Sequence, residues 1–145
     1  MFVVDTNLLV HAADRHSSRH AHCRELVEGW RRRSAAWYLT WGIVYEFLRV
    51  TTHLRVLRQP WSPMDAWGFI EALLSSPGAD CLTPTPRHPA VVSEVLNDVP
   101  DLRGNLIHDA TTAILMREHG IGTIYTFDTD FHRFPFITVV DPGAI

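Results

Sequence analysis

The sequence predicts an α/β fold of three layers, with a central, mostly parallel five-stranded sheet flanked by helices. Three observations carry that prediction. Short apolar runs alternate with longer stretches of helical periodicity from one end of the chain to the other. Two of the apolar runs, Met1 to Val4 and Ile121 to Tyr125, give way at once to carboxylates, Asp5 and Asp128. A carboxylate just outside the carboxyl end of a strand sits where open α/β sheets bind ligands. Finally, the 145 residues contain no repeat, linker or low-complexity tract, so residues 1–145 are expected to form a single domain around one core.

Met1 to Val4 is the first predicted strand, and Asp5-Thr6-Asn7 after it has the chemistry of a turn. A helix is expected from Ser18 to about Arg33, with Cys23, Leu26, Val27 and Trp30 facing inward. Arg31-Arg32-Arg33 suits the negative end of its dipole. Trp37-Tyr38-Leu39 is the second strand, and Thr40 caps a helix that carries Ile43, Val44, Glu46, Phe47 and Leu48. Ser62-Pro63-Met64-Asp65 starts another helix, which runs to about Leu74. Cys81-Leu82 is a short strand, followed by a helix from about Arg87 to Asn97. Asn105 is expected to cap a helix reaching His119 and closed by Gly120. The strand into Asp128 and a last strand, Ile137 to Val140, complete five strands and about five helices.

Composition narrows the function classes. No apolar stretch is long enough to span a bilayer. The first residues also lack the basic and small-residue pattern of a signal peptide, so the expectation is a cytoplasmic protein with no membrane partner. Cys23 and Cys81 form neither a metal motif nor a disulfide framework and read as small buried thiols. All 13 basic residues are arginine. Residues 1–60 hold nine of them against five acids, and residues 61–145 hold four against eleven. Arg15, Arg19 and Arg24 follow the first strand and could flank a cleft, although a solvated helix face explains them as well.

Four acids stand out by position. Asp5 and Asp128 follow strands, while Glu46 and Asp109 lie early in helices that follow the sheet. In a parallel sheet these places share one edge, so the four carboxylates can converge. Singly, each has an ordinary explanation as a cap, a loop acid or a helix-dipole partner. Together they would repel one another unless a cation neutralised them. Hard oxygen donors without a His/Cys cluster point to Mg²⁺ or Mn²⁺, and such a cation suits phosphodiester hydrolysis. A dehalogenase-type phosphatase would need a second Asp where Asn7 stands. Both it and a receiver domain would need a lysine that the chain lacks.

The ordered set of motifs resembles the PIN-domain ribonucleases, and among them the VapC toxins of type II toxin–antitoxin pairs. Asp5-Thr6-Asn7 matches the first family motif and Glu46 the helical glutamate. His108-Asp109-Ala110 matches the third, and Thr126-Phe127-Asp128-Thr129-Asp130-Phe131 the fourth. The similarity covers essentially the whole chain. It implies a PIN-like fold, a Mg²⁺ or Mn²⁺ site and endonucleolytic cleavage of an RNA substrate. It also implies a cognate antitoxin protein and commonly a homodimer. By match, Asp5, Asp109 and Asp128 are the main metal ligands, and Glu46 completes the catalytic set through a second metal or a bound water. Asp130 is a further ligand or a supporting acid, and Thr6, Asn7 and Thr126 orient the carboxylates. The competing expectation is a non-catalytic PIN-like module that only docks RNA or a partner.

Overall fold

In the computed structural model, which describes all 145 residues, the chain begins with β1 (Val3–Val4), α1 (Thr6–Ala13), α2 (His20–Arg31), β2 (Trp37–Thr40) and α3 (Trp41–Thr52). It continues through α4 (Pro63–Leu74), β3 (Ala79–Leu82), α5 (His88–Asp98), α6 (Leu106–Glu118), β4 (Thr123–Tyr125) and β5 (Thr138–Val140). Short 3-10 turns cover Thr129–Arg133 and Pro142–Ala144. The five strands form one sheet in the order β3-β2-β1-β4-β5, and every pairing is parallel. The sheet is therefore wholly rather than mostly parallel. Six α-helices, not five, surround it.

β1 is central and short. Val3 and Val4 are both fully buried, as expected of a strand covered on both faces by helices. The chain builds outward from β1 to β2 and β3, then returns to β4 on the other side of β1. That reversal makes the β1/β4 boundary the switch point of the sheet, where a crevice opens at the strands' carboxyl ends. The register Val4↔Tyr125 sets Asp5 level with Thr126, and the Asp5 N–H donates to the Tyr125 carbonyl at 3.1 Å.

Local signals account for most elements. Thr40 accepts from the Ile43 N–H and Ser62 from the Asp65 N–H, each capping the helix that follows it. Two expectations are corrected. Asp5-Thr6-Asn7 is not a turn between elements; Asp5 caps α1, its carboxylate accepting from the Thr6 N–H at 2.8 Å. Leu8, Leu9, Ala12 and Ala13 then bury one face of that helix. Asn105 makes no side-chain cap bond, because its backbone is already helical (φ −63°, ψ −23°) and Gly104 at φ +56° turns the chain before it. The other end of α6 follows expectation. Gly120 adopts φ +69°, its N–H donates to Arg117, and the Ile121 N–H donates to Met116, which together satisfy the last carbonyls.

The core is one contiguous cluster reaching from Trp37 and Phe47 to Phe131 and Phe134. Cys23 is buried and Cys81 half-buried, both as free thiols. Glu118 is the charged exception, with a fully buried side chain. Burial alone would raise its pKa, but hydrogen bonds from His88 Nδ1, the Thr85 hydroxyl and the Thr85 N–H outweigh that and pull it down to about 2. The carboxylate thereby ties the β3–α5 loop to α6. No helix is long and apolar enough to cross a membrane.

Gly78 shows how tightly the sheet edge is built. Its carbonyl accepts from the Trp37 N–H at 2.9 Å, and a Cβ there would sit inside contact distance of the Ala35 carbonyl oxygen. Gly78→Ala should force β2 and β3 apart at their start and cost about 2 kcal/mol, typical of overpacking against backbone. Urea unfolding checks this; an unchanged midpoint would mean the loop simply yields.

Candidate active site

The two central strand ends are joined through Thr126, which is 1% exposed. Its hydroxyl donates to Asp5 Oδ2 at 2.6 Å and accepts from Asn7 Nδ2 at 3.0 Å and the Asp128 N–H at 2.9 Å. One donor and two acceptor positions are thus all used. Asn7 Nδ2 also donates to Asp5 Oδ2 at 3.0 Å, and Asn7 Oδ1 accepts from the Phe127 N–H at 3.2 Å. The first helix and the fourth strand are stitched together at the carboxylates they present. Asp5 receives three hydrogen bonds in all. A carboxylate has about four acceptor positions, so Oδ1 keeps one free.

Asp5, Glu46, Asp109 and Asp128 line a single open cleft of about 300 Å³, together with Thr6, Asn7, His11 and His108. Asp109 arrives on the first turn of α6, Glu46 on the second turn of α3, and Asp128 caps the 3-10 turn after β4 by accepting from the Asp130 N–H at 2.8 Å. Carboxylate oxygens of Asp109, Asp128 and Asp130 all lie within 4.8 Å of one another. Asp130 therefore sits with the two acids it was ranked below. Asp5 shares the cleft but is outside that tight trio, its carboxylate turned onto Thr126 and Asn7.

The electrostatics are those of crowded negative charge. Burial, then the charges of Asp128, Asp5 and Asp130, push the Asp109 carboxyl up to about 6. Burial also raises Asp5, against the hydrogen bonds from Thr126 and Thr6. Glu46 moves the other way, because Arg49 binds it with two hydrogen bonds of 2.9 and 2.6 Å and holds its pKa low. Its side chain is 27% exposed and His108 stands 4.0 Å off, so its largely apolar sequence neighbours do not leave it unpaired. The donor set is all oxygen, close-packed and mutually repulsive, and it fits a hard divalent cation.

Sequence reasoning passed over His11. It lies on α1 one turn beyond Asn7, and its Nδ1 is 2.7 Å from the Ser17 hydroxyl. The i, i+4 spacing from Asn7 would have placed it in the cleft had Thr6–Ala13 been read as a helix.

An all-parallel α/β domain with an acid-lined cleft at its switch point defines a class: proteins that can gather carboxylates around a divalent cation at the carboxyl edge of a sheet. Residues 2–137 match the family described as PIN domain. Ribonuclease VapC48 of Mycobacterium tuberculosis is 37% identical over 138 residues, covering 95% of this chain and 94% of its own. Ribonuclease VapC33 of the same organism is 34% identical, covering 98% of each chain. FitAcB from Neisseria gonorrhoeae superposes with a TM-score of 0.66 over the full length of both chains at 15% identity, a likeness of fold. VapC20 of Mycobacterium tuberculosis, a Sarcin-Ricin loop cleaving toxin, gives 0.61 at 20% identity, covering 91% of this chain and 93% of its own. The chain belongs to the PIN-domain family and, within it, to the VapC ribonucleases.

Proposed function

We propose that this chain is a Mg²⁺- or Mn²⁺-dependent endoribonuclease that acts as the toxin of a toxin–antitoxin pair. The observation that carries the metal dependence is the trio Asp109, Asp128 and Asp130, with oxygens mutually within 4.8 Å beside Asp5 and Glu46. The ribonuclease reading is supported by the VapC relatives, which align over nearly the whole chain.

Asp109, Asp128 and Asp130 would hold the cation, with Asp5 adding its free lone pair. When bound, the cation supplies activation of the attacking water and neutralises charge on the phosphoryl group. The rest is done by the chain itself. Thr126 and Asn7 fix the Asp5 carboxylate, and the Thr126 hydroxyl also anchors the backbone under Asp128. Arg49 keeps Glu46 ionised on the α3 side of the cleft, where its carboxylate would orient water by accepting a hydrogen bond rather than by taking up a proton. No nucleophilic side chain is needed.

The partners follow the same reading: an RNA substrate, a cognate antitoxin that blocks the cleft, and a second copy of the chain. Exposed Trp41, Leu96 and Ile107 around an apolar groove between α5 and α6 favour the dimer, with Tyr45 beside Trp41. Residues 1–145 would act as a single unit in the cytoplasm.

The test is cleavage of single-stranded RNA by the purified protein. Cutting should require Mg²⁺ or Mn²⁺, stop in EDTA, and be absent from Asp128→Asn. Full cleavage by Asp128→Asn, with contamination excluded, would reject the assignment. Binding of RNA without any cutting by the parent would instead make this a PIN-like docking module.

A further inference from the structure

An RNA strand entering this cleft meets a wall of carboxylates. None of the residues lining it is arginine or lysine. Arg49 is taken up by Glu46, and Arg133 by Asp101 with Asp130 at 4.0 Å. Arg19 differs from both. It is exposed, forms no ion pair, and holds its guanidinium over the Phe127 ring with Cζ 4.3 Å from the centroid. Asp14, on the same loop, accepts from the His16 N–H and makes no ion pair with Arg19.

Phe127 stands between Thr126 and Asp128 in the chain, and its ring reaches the cleft through His11, so Arg19 over that ring lies behind His11 as seen from the acids. The Phe127 backbone is held by Asn7. His11 meets the same ring edge-on, 5.3 Å between centroids, and lines the cleft itself. The α1–α2 loop is folded onto this arrangement through Ser17, whose hydroxyl accepts from the Arg19 N–H at 3.1 Å and pairs with His11 Nδ1. A guanidinium resting over an aromatic ring without a carboxylate partner keeps its N–H donors available, and these match a phosphate.

We propose that Arg19, held over the Phe127 ring beside His11, is a substrate-binding residue that grips a phosphate of single-stranded RNA flanking the scissile bond. This rests on the ribonuclease reading above. It extends that reading by giving the substrate path a direction, out of the cleft over Phe127 toward the α1–α2 loop. It also gives Arg19, one of the arginines that follow β1, a use that the acid cluster does not.

Fluorescence anisotropy of a short labelled single-stranded oligoribonucleotide tests it, over a salt series with Mg²⁺ present. The measurement is made in the Asp128→Asn background so that the probe stays intact. Arg19→Gln should weaken binding about tenfold to a hundredfold, in the range for a hydrogen bond to a charged group. It should also flatten the log affinity against log salt slope by about 0.7, one phosphate contact on a single strand. Arg19→Lys should keep the slope and lose part of the affinity, since it retains the charge without the planar guanidinium. Unchanged affinity and slope in Arg19→Gln would overturn the proposal, as would a parent that binds no RNA. Should the parent with all its acids leave RNA uncut while the Arg19 effect persists, the nuclease reading fails and the binding path stands.

Discussion

Asp109→Asn is expected to abolish RNA cleavage while making the metal-free protein more stable. The two effects have one cause. The Asp109 carboxyl is pushed up to about 6 by burial and by Asp128, Asp5 and Asp130. Its ionised form is thus disfavoured in the folded protein relative to the unfolded chain, where the value is near 3.8. At pH below about 4 both states carry the proton and the group costs nothing. As pH rises from about 4 to about 6 the unfolded chain ionises first, so the folded state loses stability across that window; above about 6 the penalty is complete. Allowing for solvent screening of a half-buried group, the penalty is roughly 1 kcal/mol, or about 3 °C in Tm. Asn removes it at neutral pH and should leave wild type and variant equal at pH 4. Activity should fall at least about a thousandfold, because the remaining carboxylates no longer suffice to hold the cation. Thermal unfolding in EDTA at both pH values, beside a cleavage assay, checks the pair of effects. A variant that loses stability at neutral pH would mark Asp109 as a structural residue instead.

Thr126→Val should show the opposite pairing, a loss of both stability and activity. The substitution keeps the shape and removes a buried hydroxyl that makes three hydrogen bonds. Asn7 Nδ2 and the Asp128 N–H lose an acceptor, and Asp5 loses its closest donor. An expected cost of about 2–3 kcal/mol reflects buried groups left unpaired. Activity should fall about 10-fold to 100-fold, the usual effect of removing a residue that orients a metal ligand. Thr126→Ser retains the hydroxyl and should stay close to wild type on both readouts. If Val were as active as Thr, the stitch between β1 and β4 would be ornamental.

Those two residues also show what the sequence made legible. Asp5, Asp128 and Asp109 were readable because strand ends and helix starts are local signals, and a parallel sheet brings such places to one edge. Thr40 and Ser62 were readable as caps for the same reason, and both cap as expected. α1 was hidden because a helix N-cap and a turn use the same Asp-Thr-Asn chemistry. Missing that helix also hid His11. The place of Asp130 beside Asp109 and Asp128 was not legible, because it depends on the 3-10 turn that Asp128 caps, a detail no periodicity reports. Glu46 has mostly apolar sequence neighbours, which say nothing of a charged partner. The helix carries Arg49 one turn on, and that arginine answers its charge. The Arg19–Phe127 contact joins residues 108 positions apart in sequence, one just before α2 and the other just after β4, so no local pattern reports it.

The central claim is that the acids gathered at the β1/β4 switch point hold a divalent cation. Its most direct test is Mn²⁺ binding by the purified protein at neutral pH, followed by isothermal titration calorimetry. Wild type should bind Mn²⁺ with a matching rise in Tm, while Asp109→Asn and Asp128→Asn should lose most of that affinity despite being folded. Equal Mn²⁺ affinity in wild type and both variants would contradict the account.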